Sequence, residues 1–294
     1  MKKTVFTGAA VALITPFKNG KVDFDAFEKI IDFQIENKTD ALVICGTTGE
    51  AATMPDAEHV ATVEHAVKYV NGRVPVIAGA GSNDTEHGVN LCKEMERVGA
   101  DALLLVTPYY NKCTQKGLIA HYKKMAEAVS LPCILYNVPG RTGVDIAPST
   151  VKTLSEIENI VGIKEASGKL EAVTAIRNLC GDDFAIYSGN DDITVPIMSM
   201  GGLGVISVLS NIMPKETHDM CVAALNNDYK TASKIQVETV DLVNALFIEV
   251  NPIPVKTAAH LMGMCDIEMR MPLCEMEDKN LEVLKAEMKR HNLI

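Results

Sequence analysis

Eight times along the chain a short apolar run gives way to a polar, glycine-containing turn and then to an amphipathic stretch. The runs are 8–14 (GAAVALI), 40–45 (DALVIC), 74–78 (VPVIA), 101–106 (DALLLV), 131–136 (LPCILY), 160–164 (IVGIK), 184–188 (FAIYS) and 204–208 (GVISV). Strands that are apolar along their whole length belong to parallel sheets covered on both faces. The intervening stretches 23–37, 56–70 and 84–98 carry helical spacing. In the first of them Phe24, Phe27, Ile30, Ile31 and Ile35 fall on one face, opposite Asp, Glu and Lys. Eight such units match a (β/α)₈ TIM barrel, which typically takes about 250 residues. A doubly wound open sheet is the alternative, but no G-x-G-x-x-G follows the first strand, where that fold carries its phosphate fingerprint. The expected division is a barrel over residues 1–225 and a C-terminal helical extension over 226–294, where only helical spacing recurs.

Composition then removes whole classes of function. Of 294 residues, 47% are hydrophobic and the net charge is −10, which disfavours nucleic acid and acidic membranes as partners. A small anionic substrate stays open, because two local cations can reverse the field inside a cleft. The eight cysteines form no C-x-x-C pair and the seven histidines no H-E-x-x-H, so no metal site is expected. Scattered free cysteines without a framework suit a reducing, cytoplasmic setting and read as small buried hydrophobes. The opening "MKKTVFTGAAVALITPF" resembles a secretory signal, with Ala10-Val11-Ala12 as a cleavage triplet. That triplet lies inside the apolar run instead of after it, so a first barrel strand is the preferred reading. No run is long enough to span a membrane.

Barrel chemistry collects at the C-terminal ends of the strands. Gly46-Thr47-Thr48-Gly49-Glu50 follows the second run, Pro108-Tyr109-Tyr110 the fourth, and Tyr136 ends the fifth, ahead of "NVPGRTG" with Arg141. Lys164 ends the sixth, Ser188-Gly189-Asn190-Asp191-Asp192 follows the seventh, and Ile206 lies in the eighth. A strand-end lysine by itself is more often a snorkelling surface charge, and a lone tyrosine a core phenol. Together, an amine at an apolar strand end ringed by hydroxyls suits Schiff-base catalysis on a carbonyl compound. The nucleophile is the neutral amine, and an apolar setting disfavours the ammonium. A tyrosine can relay the proton transfers of imine formation, and the Gly–Thr turn can offer backbone N–H groups to a carboxylate. Two rivals fail on spacing. Gly162 and Gly168 bracket five residues and Leu170 follows Lys169, so this is not a phosphate-binding loop, and no G-x-S-x-G elbow occurs.

The ordered set "GTTGEAATM", "TPYYNK", "YNVPGRTG", "VGIKEAS", "SGNDD", "GGLGVISV" and "NPIPVK" resembles the pyruvate-dependent class I aldolases, the family of dihydrodipicolinate synthase and N-acetylneuraminate lyase. The resemblance runs over essentially the whole chain. It implies a lyase with no cofactor beyond the covalent imine, acting on pyruvate and, through Arg141, on aspartate semialdehyde, in lysine and diaminopimelate biosynthesis. It implies that Lys164 forms the imine and Tyr136 moves protons. Thr47 would link Tyr136 to Tyr110 of a neighbouring subunit. Thr48, Gly189 and Ile206 would hold pyruvate, and a homotetramer built from dimers is expected. Lysine-inhibited members resemble one another at an interface pocket of Ser, Ala, two His, Asn, Glu and Tyr. The matching positions here are Ala51, Ala52, Asp56, His59, Asn83, His87 and Tyr109, so a hydroxyl, a histidine and a glutamate have been replaced. Glu86 is adjacent, but one step along a helix points elsewhere. Feedback inhibition by lysine is expected to be weak or absent, leaving a vestigial pocket. Another pyruvate aldolase acting on a sugar acid, and a silent keto-acid sensor on the same scaffold, remain as alternatives.

Overall fold

The computed structural model describes residues 2–294. Eight parallel strands close into a barrel: β1 (Gly8–Ala12), β2 (Ala41–Ile44), β3 (Val76–Gly79), β4 (Ala102–Val106), β5 (Cys133–Asn137), β6 (Ile160–Glu165), β7 (Ala185–Ser188) and β8 (Gly204–Ser207). β8 pairs back onto β1, with Ile206 opposite Ala10. Each strand lies within two residues of the run that announced it. The opening apolar run therefore supplies a central strand, bonded to β2 on one side and β8 on the other.

Around the barrel run α1 (Phe24–Glu36), α2 (Asp56–Val70), α3 (Thr85–Arg97), α4 (Gln115–Ala126), α5 (Pro148–Ser155), α6 (Leu170–Cys180), α7 (Thr194–Ser199) and α8 (Pro214–Leu225). Asp23 caps α1 by accepting from the Ala26 N–H, and Asp84 caps α3 through Glu86 and His87. On α1 the buried face is Phe27, Ile30, Ile31 and also Gln34, with Phe24 and Ile35 half-buried. Gln34 is a polar residue the hydrophobic spacing passed over. Its amide donates to the carbonyls of Ser210 and Asn211 and accepts from Thr39, which satisfies it inside the core.

Side-chain alternation divides the core into two layers. Ala10, Ala12, Ala41, Val43, Ala102, Leu104, Ile134 and Tyr136 fill the barrel interior. Val11, Leu13, Leu42, Ile44, Leu103, Leu105 and Leu135 face the helices. On β6 the alternation slips. Cys133 pairs Ile160, yet the next residue, Ile134, pairs Gly162, so β6 carries one extra residue. Val161 lies in the interior layer and Ile163 in the outer one, two residues apart but on opposite faces. That bulge resets the phase so that Lys164 comes level with Tyr136.

One feature has no counterpart among the strands and helices expected from the sequence. An Asn19-Gly20 turn, with φ of 53° and 77°, closes a short antiparallel ribbon of Phe17–Lys18 with Lys21–Val22. Beyond the barrel, α9 (Tyr229–Leu246), α10 (Ile253–Leu261) and α11 (Asp278–Arg290) follow, and α9 packs along α8. The cysteines divide: Cys45, Cys92, Cys133 and Cys221 are buried, whereas Cys274 is exposed, a correction to the expectation that all are core residues. No described helix is long and apolar enough to cross a membrane.

Candidate active site

A cavity of about 310 Å³ opens at the C-terminal rim of the barrel. Its wall includes Thr47 and Thr48 from the turn after β2, Tyr136 of β5, Arg141, Lys164 of β6, and Gly189 to Asp192 after β7. The same wall takes Val243 and Asn244 from α9, and Phe247 and Asn251 from the link to α10. The C-terminal helices thus complete the site that the barrel begins.

Lys164 is 5% exposed and makes no hydrogen bond or ion pair among the described residues. Its Nζ stands 4.4 Å from the centre of the Tyr136 ring. An amine buried without a carboxylate against it is costly in a purely structural role. The reason it fits lies partly in Gly189. A Cβ there would come within 2.6 Å of the Ala166 Cβ and 3.0 Å of the Lys164 Cε, so the lysine stem crosses where a side chain would sit. Behind the pair, Asn137 and Glu165 follow Tyr136 and Lys164 on the opposite face. The Asn137 amide donates to Glu165 at 3.0 Å and to Asp145 at 2.8 Å, locking the two strand ends together. Burial pushes the Glu165 carboxyl above its ordinary range, opposed by hydrogen bonds from Asn137 and Ser167.

Arg141 stands on the single helical turn Pro139–Thr142 and donates from Nη2 to the Asn251 carbonyl at 3.0 Å. The Asn251 amide donates to the Thr48 hydroxyl at 3.0 Å. One residue of the C-terminal segment therefore ties the guanidinium to the threonine turn. The far end of that turn is held too. Glu50, in a left-handed backbone conformation, accepts from Lys256 Nζ at 2.6 Å and from the Arg270 N–H at 3.0 Å. Lys256 and Glu50 are 0% and 1% exposed in their side chains. Burial pulls the Lys256 amine below its usual value, and the Glu50 carboxylate opposes the shift. Neither Asn251 nor Lys256 was singled out from the sequence, although they open and close the "NPIPVK" motif.

Of the residues expected at the site, Lys164, Tyr136, Thr47, Thr48, Arg141 and Gly189 share the cavity wall. Ile206 does not line it and packs in the barrel interior with Tyr136 and Tyr187. Tyr110 is 92% exposed, outside the cavity of its own chain, at a positive φ of 69°. The second expected group gathers elsewhere, near the start of α2 and α3. His87 Nε2 lies 3.0 Å from Asp56 Oδ1 and His87 Nδ1 lies 2.9 Å from the Ser82 hydroxyl. Asn83 donates to the Tyr109 carbonyl at 3.2 Å, and buried His59 donates from Nε2 to the Gly79 carbonyl at 2.9 Å. Ala51 lies in the short helical turn Ala51–Thr53. Glu86 turns away to pair with Lys124.

A closed parallel barrel with an unpaired, buried lysine facing a phenol at its C-terminal rim is a lyase of the class I aldolase type. The chain belongs to the dihydrodipicolinate synthetase family, whose model matches residues 5–291. It is 54% identical over 294 residues to a 4-hydroxy-tetrahydrodipicolinate synthase of Acetivibrio thermocellus, covering 100% of both chains. Over 292 residues it is 53% identical to one of Clostridium tetani, covering 99% of each. Among solved structures, dihydrodipicolinate synthase from Aquifex aeolicus superposes with a TM-score of 0.96 at 47% identity, covering 98% of this chain and 99% of that one.

Proposed function

We propose that this enzyme condenses pyruvate with L-aspartate 4-semialdehyde to give 4-hydroxy-tetrahydrodipicolinate, on the route to diaminopimelate and lysine. The observation that carries the reading is Lys164, buried, unpaired and level with Tyr136 in a cavity that also holds Arg141. Its full-length relatives carry the name of that synthase.

The Lys164 amine adds to the C2 carbonyl of pyruvate, and one water leaves as the iminium forms. Loss of a C3 proton gives the neutral enamine, whose C3 attacks the aldehyde carbon while the aldehyde oxygen takes a proton. The amino group of the semialdehyde then displaces Lys164 from C2 and closes the ring. Tyr136 donates and accepts the protons of these steps. Thr48 holds the pyruvate carboxylate, Gly189 and the backbone carbonyl of Ile206 hold the rest of pyruvate, and Arg141 holds the carboxylate of the semialdehyde. Arg141 lines the cavity beside Lys164, which suits two carboxylate-bearing substrates on a chain of net charge −10. Thr47 lies in the wall and Tyr110 outside it, so a relay through both asks for Tyr110 from a second copy, in a dimer or in a tetramer built from two dimers. The reaction needs no cofactor, and its setting is the cytoplasm.

Borohydride reduction in the presence of pyruvate, followed by peptide mass mapping, tests the reading. A reduced pyruvyl adduct on Lys164, absent from Lys164→Ala, is the expected result; an unmodified Lys164 overturns it. Assay of aspartate semialdehyde condensation against sialic acid cleavage separates the synthase from a sugar-acid aldolase on the same barrel. A keto-acid sensor would turn over neither.

A further inference from the structure

Asp191 is a buried carboxylate in the wall of the same cavity, 5% exposed, and the reaction steps above leave it unused. It opens the helical turn Asp191–Ile193 after β7. Its Oδ2 accepts from the Val208 N–H at 3.0 Å and the Leu209 N–H at 3.1 Å, just beyond β8. Oδ1 is buried and takes no partner among the described residues. A structural clamp between two loops needs acceptors, and a neutral Asn would serve it. A buried carboxylate with one oxygen left free is more than that task requires.

We infer that Asp191 is the counter-charge of the Lys164 iminium, a positioning residue that stabilises the cationic adduct through space while leaving the amine free to react. The inference rests on the Schiff-base reading. The observation behind it is an asymmetry. Lys164 has no carboxylate in contact, so its Nζ can reach a carbonyl carbon, while a carboxylate held by the backbone lines the same cavity. A direct ion pair would occupy the nucleophile; an anion pinned at a distance favours the cation and does not compete for it. Burial pushes the Asp191 carboxyl above its ordinary range, opposed by the hydrogen bonds from the Leu209 and Val208 N–H groups and by the charge of Lys164. The other charged or titratable groups in the cavity wall are Tyr136 from β5, Arg141 from the turn after it, and Asp192 beside Asp191. Tyr187 on β7, opposite Lys164, points its hydroxyl at the Phe6 carbonyl. On the outer side of Asp191 lies the Cys221 thiol of α8, which burial pushes up.

The experiment compares Asp191→Asn, which keeps an acceptor for the two amides, with Asp191→Glu, which keeps the charge. Borohydride-trapped pyruvate adduct is read by mass against pH, with kcat and KM for both substrates. In Asp191→Asn the fraction of adduct at saturating pyruvate falls and kcat drops about tenfold. The pH profile of adduct formation moves about one unit to lower pH, because removing an anion disfavours a nearby ammonium. Asp191→Glu returns the profile toward that of the parent. Should Asp191→Asn not fold, Asp191→Ser carries the same comparison. Profiles that stay in place in the neutral variant, or shift equally in both variants, overturn the inference and leave only the loop clamp. No adduct in the parent enzyme would instead defeat the Schiff-base reading, so the two failures are distinct.

Discussion

Lys164 owes its position to a residue with no side chain. Gly189 leaves the space through which the lysine stem passes, and Gly189→Ala would set a methyl 2.6 Å from the Ala166 Cβ. The lysine end can swing aside, but the Ala166 Cβ cannot. The variant is expected to lose about 1–3 kcal/mol of stability from overpacking. Its kcat should fall at least tenfold because the amine is displaced, with urea unfolding and steady-state kinetics as the two measurements. A parent-like kcat would show that the crossing is slack. At this scale the sequence was readable where chemistry sits at strand ends: Lys164, Tyr136, Thr48, Arg141 and Gly189 meet in one cavity. It was not readable for Asn251, which joins Arg141 to Thr48 from 110 positions beyond the arginine. Hydrophobic period locates a helix, but not the neighbour its preceding loop will touch.

At the scale of elements, period-two alternation carries less than it promises on β6. Val161 and Lys164 have opposite parity and yet both face the interior, because one extra residue is accommodated opposite Cys133 and Ile134. Nothing in "IVGIK" announces that bulge, although Gly162 marks where it ends against the Ala185 carbonyl. The helices were legible for the reason strands are: capping aspartates precede α1 and α3, and their apolar faces repeat. The tie between α10 and the turn after β2 was not. Lys256 and Glu50 meet in the core beside the Phe17 ring, whose centre lies 4.2 Å from the Lys256 Nζ. Lys256→Met should cost about 3–5 kcal/mol, since Glu50 is left as an uncompensated buried charge. Adding Glu50→Gln should recover much of that loss in urea melts. A single variant as stable as the parent would mean that water reaches Glu50.

For the whole molecule, the buried histidines set the response to acid. Burial pulls His59 below its ordinary value, and likewise His121, whose Nδ1 meets the Thr85 hydroxyl while Nε2 has no partner. The unfolded chain binds these protons near pH 6.5 and the fold binds them only at lower pH, so stability falls as pH drops below about 6.5. The buried carboxyls Glu165 and Asp191 act in the opposite sense, since raised values favour the fold at low pH. Unfolding free energy measured from pH 6.5 to 5.5 should therefore decline, and His121→Gln should flatten that decline. An equal slope in both proteins would remove His121 from the account. Regulation belongs to this scale as well. Between the starts of α2 and α3, positions 56 and 87, where the lysine-inhibited members carry a histidine and a glutamate, satisfy each other here, His87 on Asp56 at 3.0 Å. A ligand ammonium seeking a carboxylate at position 87 meets an imidazole, and the Asp56 carboxylate is already engaged. Millimolar lysine should leave turnover unchanged, and the double variant Asp56→His with His87→Glu should gain sensitivity to it. Loss of turnover in the parent at submillimolar lysine would show that the exchanged pair opens and that its carboxylate still receives the ammonium.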